Sequence, residues 1–346
     1  MTTPGLRIQR RSGESTAAMA AFGLVIAALA TLPLWDGDNS LRTPLTVVLY
    51  YLALAQMWNL LAGFAGLVSI GQQMFVGAGI YSLMTTAEDL GLDPFLSIPL
   101  AGLVAAVLSV PVALGAFRLR GGYFAVGTWV MAEVARLVAL EIGPLEAGVV
   151  RSLTANSLGG YEPNLRNDLI YWASLALAVG ATAIVVLVLR SRLGLALRAV
   201  RDDPAGAESL GVDVWRTKLA VWVLAAFWTG MCGAVILLNV TSMRADSGFS
   251  VLRWTALVIF IAVIGGVGST TGPIFGVLVF WLIEEQLEQT DTWRFIILGL
   301  IAVAMAVFAP GGIDGRLQRL RPTQLFPVRR HLIGPGVNSE RRHERR

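Results

Sequence analysis

The sequence contains very few of the residues that carry out chemistry in enzymes. Its 346 residues include one cysteine, Cys232, and one lysine, Lys218, and both histidines, His331 and His343, lie near the C-terminus. A single cysteine excludes an internal disulfide. Apolar segments without histidine hold no histidine metal site, serine–histidine dyad or histidine proton relay. The lysine follows threonine rather than glycine, so the sequence has no phosphate-binding P-loop. We therefore expect no enzymatic activity, metal site or cofactor in this chain.

Charged residues are scarce as well, because they make up 14% of the sequence while hydrophobic residues make up 55%. Soluble proteins carry about 25% charged residues, and apolar runs of about 18–22 residues, which recur here, are long enough to cross a bilayer. We predict an all-α polytopic membrane protein with about ten transmembrane helices, some of them discontinuous. The apolar runs lie near 17–35, 45–62, 66–87, 95–117, 122–141, 168–189, 219–240, 251–267, 274–283 and 293–309.

The basic residues are distributed unevenly among the segments that join these runs. If the N-terminus is cytoplasmic and the runs alternate, the segments 1–16, 118–120, 190–218 and 310–346 are cytoplasmic and hold 20 of the 27 lysine and arginine residues. An excess of this kind is typical of the cytoplasmic face of a membrane protein. We therefore predict a multi-pass membrane protein, with a transmembrane domain at 17–309 and both termini cytoplasmic.

This orientation explains the net charge of +4 without nucleic-acid binding. The arginine pairs of the tail could contact anionic membrane lipid, although a solvated tail is the simpler interpretation. The first apolar run could be a cleaved signal peptide, since Ala28-Leu29-Ala30 resembles a cleavage site. The run continues past that point, which favours an uncleaved span.

Residues 56–81 carry polar side chains within apolar sequence, and they also contain five glycines at 63, 66, 71, 77 and 79. Polar side chains in hydrocarbon need partners, and glycines let a backbone or a ligand approach closely. We interpret the stretch as part of a substrate pathway, while tight helix packing is the alternative. Its polar candidates are Asn59, Ser69, Gln72 and Gln73.

Two further features belong to the same hypothesis. Glu133 and Arg136 are three residues apart on one face of a predicted span, where they form an ion pair within the bundle or line the pathway. The sequence GGVGSTTGP at 265–273 interrupts an apolar run, and broken helices are tolerated where they line protein or a cavity. Gly265 and Gly266 are therefore added to the candidate pathway, with close helix packing as the alternative.

The segment 190–218 is longer than a simple connection and mixes charged with apolar residues. Pro204 can begin a short helix and Gly211 can end it, so we predict two short amphipathic helices on the cytoplasmic face. Such a surface docks a partner protein or lies on the lipid surface.

Five motifs in order resemble the permeases of ABC importers for branched-chain amino acids, the LivM-type subunits in particular. The resemblance covers residues from about 45 to 315. The matching positions are Gly63, Gly66, Ser69, Gly71, Phe75, Gly77, Gly79 and Tyr81; Arg118, Arg120, Gly121, Tyr123, Phe124, Thr128 and Glu133; Ser191, Arg192, Gly194, Arg198, Arg201, Asp202, Asp203, Ala207, Glu208 and Gly211; Gly265, Gly266, Gly268, Ser269, Gly272 and Pro273; and FAPGGI at 308–313.

The resemblance implies an importer of a bacterial inner membrane that is assembled from separate chains. A second permease of the LivH type completes the pore, two ATPase subunits bind ATP and dock on the cytoplasmic side, and an extracytoplasmic binding protein delivers substrate. The implied ATPase-coupling residues are Arg201, Asp202, Asp203, Ala207, Glu208 and Gly211.

The sequence departs from the family pattern in two places. Gln72 stands where the family commonly has histidine, and Thr154 is followed by ANSLG rather than by the usual x-G-x-x-G. The cargo therefore stays open among branched-chain amino acids, other amino acids, urea and short amides. Two other classes are an ion-coupled secondary transporter, which the scarcity of acids within the spans disfavours, and a non-transporting scaffold or sensor.

Overall fold

The computed structural model describes residues 7–9, 13–34, 36, 40–141, 150–154, 158–287, 291–309, 311–320 and 331–333. Most of these residues are helical, and the helices are α1 Gly13–Thr31, α2 Arg42–Asn59, α3 Gln73–Met84, α4 Ser97–Ala116, α5 Gly122–Glu141, α6 Pro163–Arg190, α7 Arg192–Asp202, α8 Pro204–Ser209, α9 Val214–Val240, α10 Ala245–Gly248, α11 Leu257–Gly265, α12 Gly272–Leu287, α13 Asp291–Phe308 and α14 Gly312–Leu320.

Short irregular helical segments and small strand pairs complete the described structure. The π-helical segments are Leu60–Phe64 after α2, Thr85–Asp89 after α3 and Leu252–Ala256 before α11, and a 3-10 turn at Leu32–Leu34 follows α1. The described strands pair antiparallel, β1 Arg7–Gln9 with β4 His331–Ile333 and β2 Val150–Ser152 with β3 Ser242–Arg244.

Six of the described helical segments are long and apolar enough to cross a membrane. They are Arg42–Phe64, Ser97–Ala116, Gly122–Glu141, Pro163–Arg190, Val214–Val240 and Asp246–Gly265. This confirms an all-α protein with several membrane spans, while the number of about ten crossings stays a prediction. Most of the predicted cytoplasmic termini, and positions 155–157 of the departure after Thr154, lie outside the described residues.

Helix α9 packs against both α3 and α4, because small residues let these neighbours approach its backbone. All residues from 229 to 238 are buried. A Cβ atom added at Gly79 of α3 would lie only 2.0 Å from the carbonyl oxygen of Gly230, and one at Gly233 would lie 2.2 Å from that of Val76. The contact between α3 and α9 is therefore made by bare backbone on both sides.

The chain between α2 and α3 differs from the apolar run predicted at 66–87. Helix α3 begins only at Gln73, and residues 65–72, which we call the buried loop, are not helical. Gly66 has a φ of 70°, a left-handed conformation that takes the chain out of the preceding helical path. Most of the loop is buried by protein, where irregular backbone is tolerated at membrane depth. The apolar run therefore reflects burial rather than a continuous helix.

The connecting segments gather at two ends of the bundle. At one end, which we call the α7–α8 end, α7 packs near the π-helical end of α2, and α14 packs near the junction of α11 and α12. At the opposite end, β2 pairs with β3, and Arg151 Nη2 lies 2.8 Å from Asp89 Oδ1. Each end thus groups segments that the charge distribution assigned to one side of the membrane.

Arg42, which lies between the predicted apolar runs at 17–35 and 45–62, is buried at the opposite end. Its guanidinium hydrogen-bonds the Asp168 carboxylate of α6 and the Asp36 carbonyl oxygen. These partners offset the cost of burying the charge and tie the start of α2 to α6. Burial raises the pKa of Asp36, but hydrogen bonds from the backbone of Arg42 and Leu41 and from the Ser40 hydroxyl outweigh it and hold that pKa below its usual value.

Candidate functional site

The segment between α11 and α12, residues 266–271, is not helical, and we call it the break. Helix α11 ends at Gly265 because Gly266 and Gly268 have φ values of 120° and 81°, which side-chain-bearing residues rarely adopt. A Cβ atom on Gly265 would lie 1.9 Å from the carbonyl oxygen of Gly272. The two helix ends therefore touch through bare backbone, and the candidates Gly265 and Gly266 are both required by this geometry.

Asn59 of α2 closes one side of the break. Its Nδ2 donates to the carbonyl oxygen of Ser269 at 2.7 Å, and its Oδ1 accepts from the backbone N–H of Gly268 at 2.8 Å. One turn earlier, Gln56 Nε2 donates to the carbonyl oxygen of Thr270 at 3.1 Å. Asn59 and Gln56 are fully buried, so α2 satisfies three backbone groups that the break leaves without helical partners.

Asp314, near the start of α14, holds the break from the other side. Its carboxylate accepts hydrogen bonds from Thr271 Oγ1 at 2.7 Å, from the Ser269 hydroxyl and from the Gln318 amide. The side chain is almost fully buried. Asp314 was not among the residues proposed from the sequence. The local pattern that could have indicated it is a lone acid directly after FAPGGI, at the start of a short helix.

Three buried threonines hold the buried loop and the first residue of α3. They are Thr128 of α5, Thr229 of α9 and Thr255 of the π-helical segment before α11. The first accepts from the backbone N–H of Ile70 at 3.1 Å, the second accepts from Gln72 Nε2 at 2.8 Å, and the third accepts from the backbone N–H of Gln73 at 3.1 Å. Thr229 and Thr255 were missed because a lone threonine in an apolar span carries little signal of its partner.

Ser69 contributes to the same arrangement. Its carbonyl oxygen accepts from Trp58 Nε1 at 2.8 Å, and its hydroxyl oxygen accepts from the backbone N–H of Gly71 at 3.1 Å. Ser69, Gln72 and Gln73 are each at most 2% exposed. In this conformation the Ser69 side chain bonds backbone, the side chains of Gln72 and Gln73 bond threonine hydroxyls, and their contact with substrate stays a prediction.

Glu133 and Arg136 form the predicted ion pair on α5, with Arg136 Nη2 lying 2.6 Å from Glu133 Oε1. Arg136 Nη1 also lies 2.7 Å from Asp246 Oδ1 of α10, a second partner that the sequence did not predict. The Glu133 side chain keeps 45% of its surface exposed, unlike the buried amides of α2 and the buried loop. The charged face of α5 therefore remains open to a neighbour or to water.

The predicted coupling segment contains two short helices, α7 and α8. Pro204 begins α8, and Asp203 Oδ1 caps it by accepting from the backbone N–H of Ala205 at 3.1 Å. Gly211 follows α8 with a φ of 84°, and Ala207 is buried against the protein. Three of the six candidate coupling residues, Asp203, Ala207 and Gly211, therefore shape this helix.

Of the other candidates in the coupling segment, Asp202 and Glu208 are exposed, and the neighbouring Leu210 is 82% exposed, which is unusual for a large apolar side chain. The Arg201 side chain is also partly exposed, at 43%, and its Nε lies 3.3 Å from Asp202 Oδ1. Its Nη1 reaches the bundle, where it donates to the carbonyl oxygen of Gly63 at 2.6 Å.

The structure thus brings the predicted residues together in three places rather than one. Asn59, the break and Arg201 meet at the α7–α8 end. Gln72 and Gln73 bond Thr229 and Thr255, close to Ser69 in the buried loop. Glu133 lies on the exposed face of α5. Across the part of the chain that the structure describes, no group of three or more histidine, cysteine or acidic side chains is placed to hold a metal ion.

The sequence was compared with protein families, with curated proteins and with solved structures. A profile of the family described as "Branched-chain amino acid transport system / permease component" matches residues 40–306. The permease LivM of the high-affinity branched-chain amino acid transport system of Escherichia coli is 27% identical over 292 residues, which cover 78% of this chain and 68% of LivM. The corresponding permease BraD of Pseudomonas aeruginosa is 26% identical, covering 79% of this chain and 94% of BraD.

A probable branched-chain amino acid permease LivH of Methanocaldococcus jannaschii is 21% identical over 74% of this chain and 86% of its own length. No solved structure matches the chain. The family match extends from the start of α2 to α13 and includes the buried loop, the coupling segment and the break. The chain therefore belongs to the family of permease components of branched-chain amino acid transport systems.

Proposed function

We propose that this chain is one permease subunit of an ATP-driven importer that moves branched-chain amino acids across a bacterial inner membrane. The cargo is supported by the names of its relatives LivM and BraD. The observation that carries the mechanism is the contact between the coupling segment and the bundle, since Arg201 joins α7 to the end of α2 beside the break. A docked ATPase at α7–α8 would therefore act directly on a discontinuous part of the spans.

The partners follow from this assignment. Two ABC ATPase subunits would bind ATP and dock on the exposed residues Asp202, Glu208 and Leu210, because the sequence of this chain has no P-loop. A second permease of the LivH type would complete the pore, and a binding protein would deliver amino acids to the opposite end. We expect the transported molecule to cross the membrane without chemical change.

The proposed topology has ten crossings with both termini and the α7–α8 end in the cytoplasm. In addition to the six long segments, α1, α3, α12 and α13 would each cross or enter the membrane, with α3 as a half-helix after the buried loop. The separation of basic residues supports this orientation.

Cysteine labelling tests this topology. Single cysteines at positions 156 and 205, on a background without Cys232, are treated with an impermeant thiol reagent added outside the cells. We expect labelling at 156 only, and labelling at 205 only would refute the orientation.

Reconstitution tests the function. The chain is co-expressed with candidate partner permease, ATPase and binding-protein genes, and uptake of radiolabelled leucine into proteoliposomes is measured with and without ATP. We expect uptake that requires ATP and binding protein and that excess isoleucine or valine abolishes. Competition by urea or acetamide alone would contradict the cargo, and uptake driven by an ion gradient without ATPase would contradict the importer class.

Docking is tested separately with Glu208→Arg and Leu210→Ser. We expect both variants to reach the membrane at normal levels and to lose ATPase on co-purification. Gly211 is a poorer test position, because any side chain at its positive φ would strain the backbone directly after α8. Full complex and full uptake in both variants would exclude this surface as the ATPase site.

A further inference from the structure

The Arg201 side chain extends from the docking surface, where its Nε pairs with Asp202, to the end of α2. It lies in the last turn of α7, and its Nη1 donates to the carbonyl oxygen of Gly63 at 2.6 Å. Its Cγ lies 3.1 Å from where a Cβ atom of Gly66 would be, so the arginine stem rests on the glycine backbone. Because a hydrogen bond from a guanidinium is charge-assisted, this is a strong contact between α7 and the end of α2.

The acceptor carbonyl belongs to a segment that is itself fastened to the break. Gly63 touches Gly268 through backbone, since a Cβ atom on Gly63 would lie 2.4 Å from the Gly268 nitrogen. Asn59, one turn before Gly63, hydrogen-bonds two backbone groups of the break. A displacement of Gly63 therefore displaces the break as well.

The break in turn is fastened to α14 through Asp314, which accepts from Ser269 and Thr271. Four elements thus meet within a few residues: α7, the π-helical end of α2, the break and α14. The Arg201–Gly63 hydrogen bond is the polar contact that joins the coupling segment to this group in the described structure.

We propose that Arg201 is a positioning residue that passes motion of α7–α8 to the break, and that binding of the ATPase does not depend on it. The proposal rests on the function proposed above and adds the route by which ATP hydrolysis reaches the spans. It separates two tasks within the coupling segment. Asp202, Glu208 and Leu210 hold the ATPase, and Arg201 transmits what the ATPase does.

The test compares Arg201→Gln and Arg201→Lys with Arg192→Gln, an exposed arginine of the same helix that serves as the charge-matched control. For each assembled complex, the amount of bound ATPase, the rate of ATP hydrolysis and the rate of amino-acid uptake are measured. We expect the complex with Arg201→Gln to keep its bound ATPase and its rate of ATP hydrolysis. Uptake per ATP should fall by about tenfold or more, because one charge-assisted hydrogen bond is lost. Arg201→Lys retains a charged donor and should fall between the wild type and Arg201→Gln.

A second readout does not depend on the cargo. Val267 in the break is 42% exposed, so Val267→Cys on a Cys232→Ala background reports the break through its rate of thiol labelling. In the intact complex we expect this rate to differ between the nucleotide-free state and the state trapped with ATP and vanadate. Arg201→Gln should bring the ratio of the two rates to about one, while Arg192→Gln leaves it unchanged.

Each other result overturns the proposal. Loss of bound ATPase in Arg201→Gln would make Arg201 a docking residue, and failure of both Arg201 variants to assemble would make it structural. Unchanged uptake per ATP and an unchanged labelling ratio would exclude transmission. If Glu208→Arg and Leu210→Ser also keep their ATPase and uptake, the proposed docking site fails independently of Arg201.

Discussion

Replacement of Asn59 by leucine separates a structural role from a role in substrate contact. In the structure the Asn59 amide is fully buried and serves the N–H of Gly268 and the carbonyl oxygen of Ser269. Leucine has a similar size and bonds neither group. Each buried group that loses its partner costs about 1–3 kcal/mol, so Asn59→Leu should lower the free energy of unfolding by about 2–6 kcal/mol.

This loss can be measured as a shift of the thermal midpoint of the purified permease, followed by fluorescence-detected size exclusion. At about 2 °C per kcal/mol for a large domain, the midpoint should fall by roughly 4–12 °C. Asn164→Leu is the matched control, because Asn164 is exposed in the first turn of α6 and the same exchange there should shift the midpoint little. An unchanged midpoint with reduced uptake would refute the structural role and assign Asn59 to the substrate pathway.

Two further predictions concern the spans. Gly79→Ala should destabilise the permease by about 1–3 kcal/mol, because the new methyl group meets backbone of α9. Gly299→Ala in α13 is the control, since its methyl group meets no neighbour and should not lower stability. Equal thermal midpoints for the two variants would contradict the close contact. Arg136→Gln should reduce the amount of assembled permease more than Glu133→Gln, because Arg136 forms a second ion pair with Asp246. The double variant should be milder than the sum of the singles, and strict additivity would show that the two residues do not interact.

The sequence predicted best those features whose signals are local. Pro204 and Gly211 bracket α8 as expected, because a proline at the first turn and a glycine of positive φ after the last turn act within a few residues. The interruption of the spans after Gly265 is present for the same reason, since the glycines that permit it lie in the break itself. The family assignment, which rests on motifs in order, is confirmed.

Features that depend on distant partners could not be predicted from the sequence. The apolar run at 66–87 does not show that its first part is a loop, because the threonines that bond the loop and the first residue of α3 lie on three other helical segments. The burial of Arg42 requires Asp168, and the importance of Asp314 requires the break, more than 40 residues earlier in the sequence. Hydropathy indicates that a segment is buried, but it does not indicate which groups it packs against.

The threonine contacts of the buried loop have a consequence for how the chain is made. Its partners Thr128, Thr229 and Thr255 all follow it in the sequence, so a ribosome has to synthesise the protein as far as α11 before the last hydrogen bond can form. Until then the N–H of Ile70, the side-chain amide of Gln72 and the N–H of Gln73 lack these partners, and polar groups without partners are costly to leave in lipid. We therefore expect α3 to reach its final packing only after the later spans have been made.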